Sequence, residues 1–131
     1  MDDHPSGILA EDGFRALVVA TILDAKPERA LDLLCEHYRV ERPKLGVGVV
    51  KGRSKGVLAV YSQRRKEILA AKSEYLFDPF TILHEFYHHL RNFGGMHRGT
   101  EKFADRFALE FIQSYRRVAA SSVAGSTEEE R

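Results

Sequence analysis

His84-Glu85-Phe86-Tyr87-His88 puts two imidazoles four residues apart, with a carboxylate beside the first. On an α-helix, residues i and i+4 share a face. The two rings can then hold one zinc ion, and Glu85, pointing to the same side, can act as general base on a zinc-activated water. A random shuffle of a chain with six histidines and twelve glutamates gives this H-E-x-x-H pattern roughly 0.03 times, so chance does not account for it. The plain alternative is a pair of surface histidines on a polar helix face. It leaves the downstream residues unexplained.

A hydrolytic zinc site needs a third protein ligand and an open fourth position. Downstream, Glu101, Ala104, Asp105 and Ala108 recur at helical spacing and share one face. Glu101 is the expected third ligand, against the alternative of a helix-start carboxylate favoured by the macrodipole. Asp105, one turn on, is placed to accept the free ring N–H of a zinc-bound histidine. Ala104 and Ala108 are small enough to let this helix approach the first closely. Phe103, Phe107 and Phe111 form another stripe, expected in the core. His97 competes with Glu101 as ligand, but it falls nine residues after His88, not the six of H-E-x-x-H-x-x-G-x-x-H. It reads as a loop residue near the cleft, able to stabilise a transition-state oxyanion, with a plain loop histidine equally open. His89 sits about 100° round the helix from His88 and should not share the metal. His4 and His37 carry no usable context, and Cys35 reads as a buried small hydrophobe.

Several elements must position these groups. Asp78-Pro79 is a helix start, with Asp78 as N-cap and Pro79 in the first turn, and Gly94-Gly95 ends that helix. Thr100 can cap a last helix from Glu101 to about Val118. Upstream, apolar residues at Phe14, Leu17, Val18, Ile22 and Leu23 predict a helix over 13–25. Pro27 opens a second helix, or a kinked continuation, to Tyr38. Leu45–Val50 and Val57–Tyr61 predict a hairpin around a glycine-bounded turn, with Glu67–Ala71 as a third strand. The order of helices, small antiparallel sheet, then two helices is an α+β arrangement.

The chain has 131 residues, 44% hydrophobic and 30% charged, with net charge +1. That is one domain's worth of soluble sequence, expected to span 1–120. The final stretch, 121–131, is expected to be a solvated, disordered tail. Charge balance argues against a protein that coats nucleic acid or anionic membrane. One cysteine excludes an intrachain disulfide and a multi-cysteine zinc ribbon. The acidic start, Met1-Asp2-Asp3, does not read as a secretory signal, and the apolar run from Ala16 to Leu23 is too short for a bilayer. A cytoplasmic location is expected.

H-E-x-x-H followed on the next helix by Glu101-x-x-x-Asp105 resembles the gluzincin pattern of zinc metallopeptidases. Glu101-x-x-Ala104-Asp105-x-Phe107-Ala108 is similar to the corresponding segment of ImmA/IrrE-type peptidases, and the short chain resembles the archaeal minigluzincins. The resemblance covers Thr81–Phe111 closely, and only the element order matches over 45–71. It implies a zincin-like domain, one zinc per chain, peptide or protein substrates, and an extended substrate held along a sheet edge. Two departures stand out. Tyr87 replaces the usual glycine, and the interval from His88 to Glu101 is short.

Lys51, Arg53, Lys55, Arg64, Arg65 and Lys66 are six basic residues with no acidic residue between them. Solvated turns that blunt strand edges are the favoured reading. A metal-containing, nucleic-acid-associated module, as in SprT-like zincins, is the alternative. A latent zincin with its cleft filled by the tail or a partner is a third reading, and a homo-oligomer stays open.

Overall fold

The computed structural model describes residues 4–48, 56–94 and 101–129, with side chains over 10–48, 56–93 and 101–121. The described residues form α1 (His4–Leu23), α2 (Pro27–Tyr38), β1 (Lys44–Val47), β2 (Ala59–Ser62), β3 (Glu67–Ala70), a 3₁₀ turn (Ser73–Phe77), α3 (Pro79–Gly94) and α4 (Glu101–Glu129). The class is α+β, as expected.

Pro27 stands in the first turn of α2, and Arg39 closes that helix in the left-handed region, its N–H donating to the Cys35 carbonyl. Two helices separated at Lys26-Pro27 therefore replace a single kinked one. The buried face of α1 is Val18, Val19 and Ile22, whereas Leu17 and Leu23 are exposed. Asp12 near the middle of α1 accepts hydrogen bonds from Arg117 Nε and Nη2 and from Ser114 Oγ on α4, at 3.1, 2.9 and 2.9 Å. Helices α1 and α4 are thus pinned by a polar clamp as well as by apolar packing.

The sheet corrects one expectation. Its order is β1-β3-β2, with β1 parallel to β3 and β2 antiparallel to β3. Among the described residues Lys44–Val47 and Ala59–Ser62 do not pair with each other as the predicted hairpin requires, and the sheet is mixed, not antiparallel. The reason lies in the two connections and in burial. Gln63–Lys66 is a short turn with Lys66 at φ 53, which holds β2 and β3 as neighbours. The connection 48–58 is long enough to carry the chain past one strand position. Ile68 and Ala70 on β3 are fully buried, so β3 takes the centre while the more exposed β1 and β2 take the edges.

Helix α3 starts as expected. Asp78 Oδ2 accepts from the Thr81 backbone N–H at 3.3 Å and also from the Thr81 hydroxyl. One side of α3, with Ile82, Leu83, Phe86 and Leu90, is buried against α1, α2 and the sheet. Ala104 and Ala108 are completely buried, which lets α4 pack close to α3. Phe111 lies in the core, while Phe107 is half-buried and packs against Tyr38, Phe86 and Tyr87. Helix α4 runs to Glu129, past the predicted end near Val118 and through the stretch expected to be a free tail. No proline interrupts it there, and its Ala119-Ala120 step favours helix. No helix among the described residues is long and apolar enough to cross a membrane.

Candidate metal centre

The face of α3 opposite its buried side carries His84 and His88. Both are partly buried, with side chains 13% and 18% exposed. Helix α4 brings Glu101 across from them. Glu101 Oε1 lies 2.7 Å from His84 Nε2, and Oε2 lies 3.2 Å from His88 Nε2. One donor atom from each of the three residues falls within 4.8 Å of the others. Side chains from α3 and α4 thus lie close enough together to share one ion.

Asp105 is where the tautomer argument needs it. Its Oδ1 lies 2.9 Å from His84 Nδ1. A carboxylate only accepts, so Nδ1 carries the proton and Nε2 of the neutral ring presents its lone pair. That lone pair faces a Glu101 oxygen. Two acceptors at 2.7 Å repel unless the ring takes a second proton or a cation lies among the donors. Two neutral imidazole nitrogens and one carboxylate make a recognised zinc donor set. Tetrahedral zinc keeps its donors about 3.4 Å apart, a spacing these side chains reach with small rotamer motion. The residues therefore fit a divalent cation.

Burial lowers the pKa of His88, and the neighbouring Glu101 carboxylate opposes that shift. Burial dominates, which favours the neutral ring that a metal requires. Glu85 is largely buried beside the group, its Oε2 4.0 Å from His84 Nε2. Glu85 and His88 line a cavity of about 590 Å³. Its opposite wall is β2, with Ala59, Val60 and Tyr61. Which strand lies beside the site was open in the sequence; among the described strands it is β2, at one edge of the sheet.

Other expectations have separate outcomes. His97 and the basic residues Lys51, Arg53 and Lys55 lie outside the described residues. Arg65 pairs with Glu67 at 3.8 Å, and Lys66 Nζ stands over the Phe93 ring at 5.1 Å, so two of the remaining three have local partners. Cys35 is buried, which pushes its thiol up to about 11 and leaves it a small hydrophobe. His37 stacks on Phe14, with ring centroids 4.1 Å apart. Tyr87, in place of the glycine of the resembled motif, is buried against Phe107.

His89 turns away from the metal face, as its helix position requires, but its role was not anticipated. It is completely buried. Its Nε2–H donates to the Glu41 carbonyl at 2.5 Å, so Nδ1 accepts from the Tyr61 hydroxyl at 2.9 Å. Asn92 Nδ2 in turn donates to Tyr61 Oη at 3.4 Å. This chain of bonds ties β2 to α3 and so fixes the strand that walls the cleft. The available signal was position: His89 follows Phe86 by three residues on α3 and so falls on the same face as that core residue. Comparison with known protein families, with curated proteins and with solved structures finds no match to this chain.

Proposed function

We propose that the chain is a zinc-dependent metallopeptidase with a zincin-like fold, cutting peptide bonds in an extended substrate. The observation that supports this most is the convergence of His84, His88 and Glu101 beside a buried Glu85 in a cleft walled by a strand edge. The three ligands would hold the ion, and Asp105 would fix His84 in the ligating tautomer. A zinc ion there supplies Lewis-acid polarisation of the scissile carbonyl and lowers the pKa of water to roughly 7. Glu85 accepts a proton from the attacking water and returns it to the leaving amine, serving first as base and then as acid. Among the described residues strand β2 is an edge strand, and the backbone groups of a strand edge offer hydrogen bonds to an extended peptide. Glu85 is buried, and burial strengthens its electrostatic interactions.

The test combines metal content with turnover. Purified protein should carry one zinc per chain, lost in His84→Ala and in Glu101→Ala and retained in Glu85→Gln. Wild type should cleave an unfolded protein or a peptide library and stop with chelator. Glu85→Gln should bind metal without turnover. Activity surviving in Glu85→Gln would refute the assigned base. If wild type is fully metallated and silent, the latent reading takes over, and truncation before Ser121 is the discriminating variant.

A further inference from the structure

His84, His88 and Arg91 stand at i, i+4 and i+7 on α3, so Arg91 continues the metal-binding face by one turn. It is exposed and lines the same cavity as His88, together with Gln63, Tyr61 and Asn92. Among the described residues no carboxylate forms a salt bridge with it. The acidic groups of the cleft, Glu85 and Glu101, sit at the metal end, which leaves the Arg91 end positive. Asn92 beside it is held by its bond to Tyr61, so this wall of the cleft is braced.

Spacing decides what Arg91 can reach. Three residues of helix put its backbone about 4.5 Å beyond His88. An extended peptide advances about 3.3 Å per residue. For a peptide laid along β2 in the direction of α3, this rise sets the Arg91 side chain opposite a group one or two residues from the reacting carbonyl. A planar guanidinium grips a carboxylate through two parallel hydrogen bonds, which an ammonium cannot match.

We propose that Arg91 makes the cleft selective for carboxylate-bearing peptides. The substrates carry an Asp or Glu side chain, or a free α-carboxyl, one or two residues from the bond that is cut. This deepens the peptidase reading and rests on it. Arg91 acts on specificity, by contact with the substrate, and takes no part in the proton transfers assigned to Glu85.

The experiment measures binding apart from turnover. Fluorescein-labelled Ala/Ser peptides carry Glu, Gln or Lys at one internal position, each made with a free or an amidated C-terminus. They are titrated by anisotropy into the full-length, zinc-loaded Glu85→Gln chain. A peptide with an accessible carboxylate should bind roughly tenfold tighter than its neutral partner, the scale of a charge-assisted pair. Adding Arg91→Gln should abolish that ratio with metal content and circular dichroism unchanged. Adding Arg91→Glu should reverse the preference towards the Lys peptide. Gain from internal Glu assigns the site to side chains, and gain from the free terminus assigns it to the α-carboxyl. The proposal is overturned if the ratio persists in Arg91→Gln, or if the parent shows no discrimination, including no measurable binding. Selection that depends on Arg91 alongside an inactive wild type would keep the carboxylate site and sink the peptidase reading. Chelator-sensitive cleavage that ignores carboxylates would do the reverse.

Discussion

Replacing Asp105 with alanine isolates the contribution of a group that touches no metal. In the structure Asp105 Oδ1 lies 2.9 Å from His84 Nδ1, and the carboxylate side chain is 51% exposed. Its loss leaves His84 free to rotate and to exchange tautomers, so Nε2 presents its lone pair to the ligand position only part of the time. Outer-shell partners of this kind are typically worth 10–100-fold in affinity. Half-exposure lets water take over part of the hydrogen bond, which places Asp105→Ala near the lower end, about tenfold or 1.4 kcal/mol. Asp105→Asn keeps an oxygen acceptor and drops the charge, so it should fall between wild type and alanine. The assay is competition for zinc against a chromogenic chelator at fixed pH and salt, with His84→Ala and Glu101→Ala as the limits of ligand loss. An Asp105→Ala affinity within twofold of wild type would show that water suffices at Nδ1 and that the tautomer argument is wrong. A loss as deep as that of His84→Ala would make Asp105 a ligand in its own right.

Ala104→Leu should force α4 away from α3, because Ala104 is completely buried between them; the expected cost is about 1–3 kcal/mol by urea unfolding, with weaker zinc binding as Glu101 withdraws. Tyr61→Phe removes the hydroxyl that donates to buried His89 Nδ1 and should cost about 1–3 kcal/mol, whereas an unchanged denaturation midpoint would mean that the strand–helix tie carries no energy. The Arg117 guanidinium, helped by the Ser114 hydroxyl, lowers the Asp12 carboxyl from 3.8 to about 2. A depressed native pKa stabilises the fold at pH above the unfolded value and loses that contribution as pH falls through the native one. Denaturant midpoints at about pH 5 and about pH 2.5 should therefore differ less for Asp12→Asn than for wild type, and parallel pH dependence in the two would refute the clamp.

Much of the candidate centre was legible in one dimension because helical geometry is local. Four residues make one turn, so His84 and His88 share a face whatever surrounds them, and Glu101 with Asp105 repeats that logic on α4. The start of α3 was equally legible, since Asp78-Pro79 acts on its own first turn. Ala104 and Ala108 signalled a close helix crossing through side-chain size alone. That the two helices would face each other was an expectation from the chemistry a zinc site needs, strengthened by the resemblance; in the structure His84, His88, Glu101 and Asp105 lie together.

Tertiary structure alone decided the rest. Strands pair with whatever the fold brings beside them, and nothing within Leu45–Val47 or Ala59–Ser62 encodes a partner. The mixed order β1-β3-β2 follows from connection length and from the burial of Ile68 and Ala70, both global properties. The choice of β2 as the wall of the cleft, opposite the α3 face that carries Arg91, depends on that order. His89 shows the same limit at one residue. Its helix angle excludes it from the metal, but its bonds to Tyr61 and Glu41 need groups that are remote in sequence. Helix period is a property of neighbouring residues and can be read along the chain; strand order and buried hydrogen bonds arise only when distant segments compete for the same core.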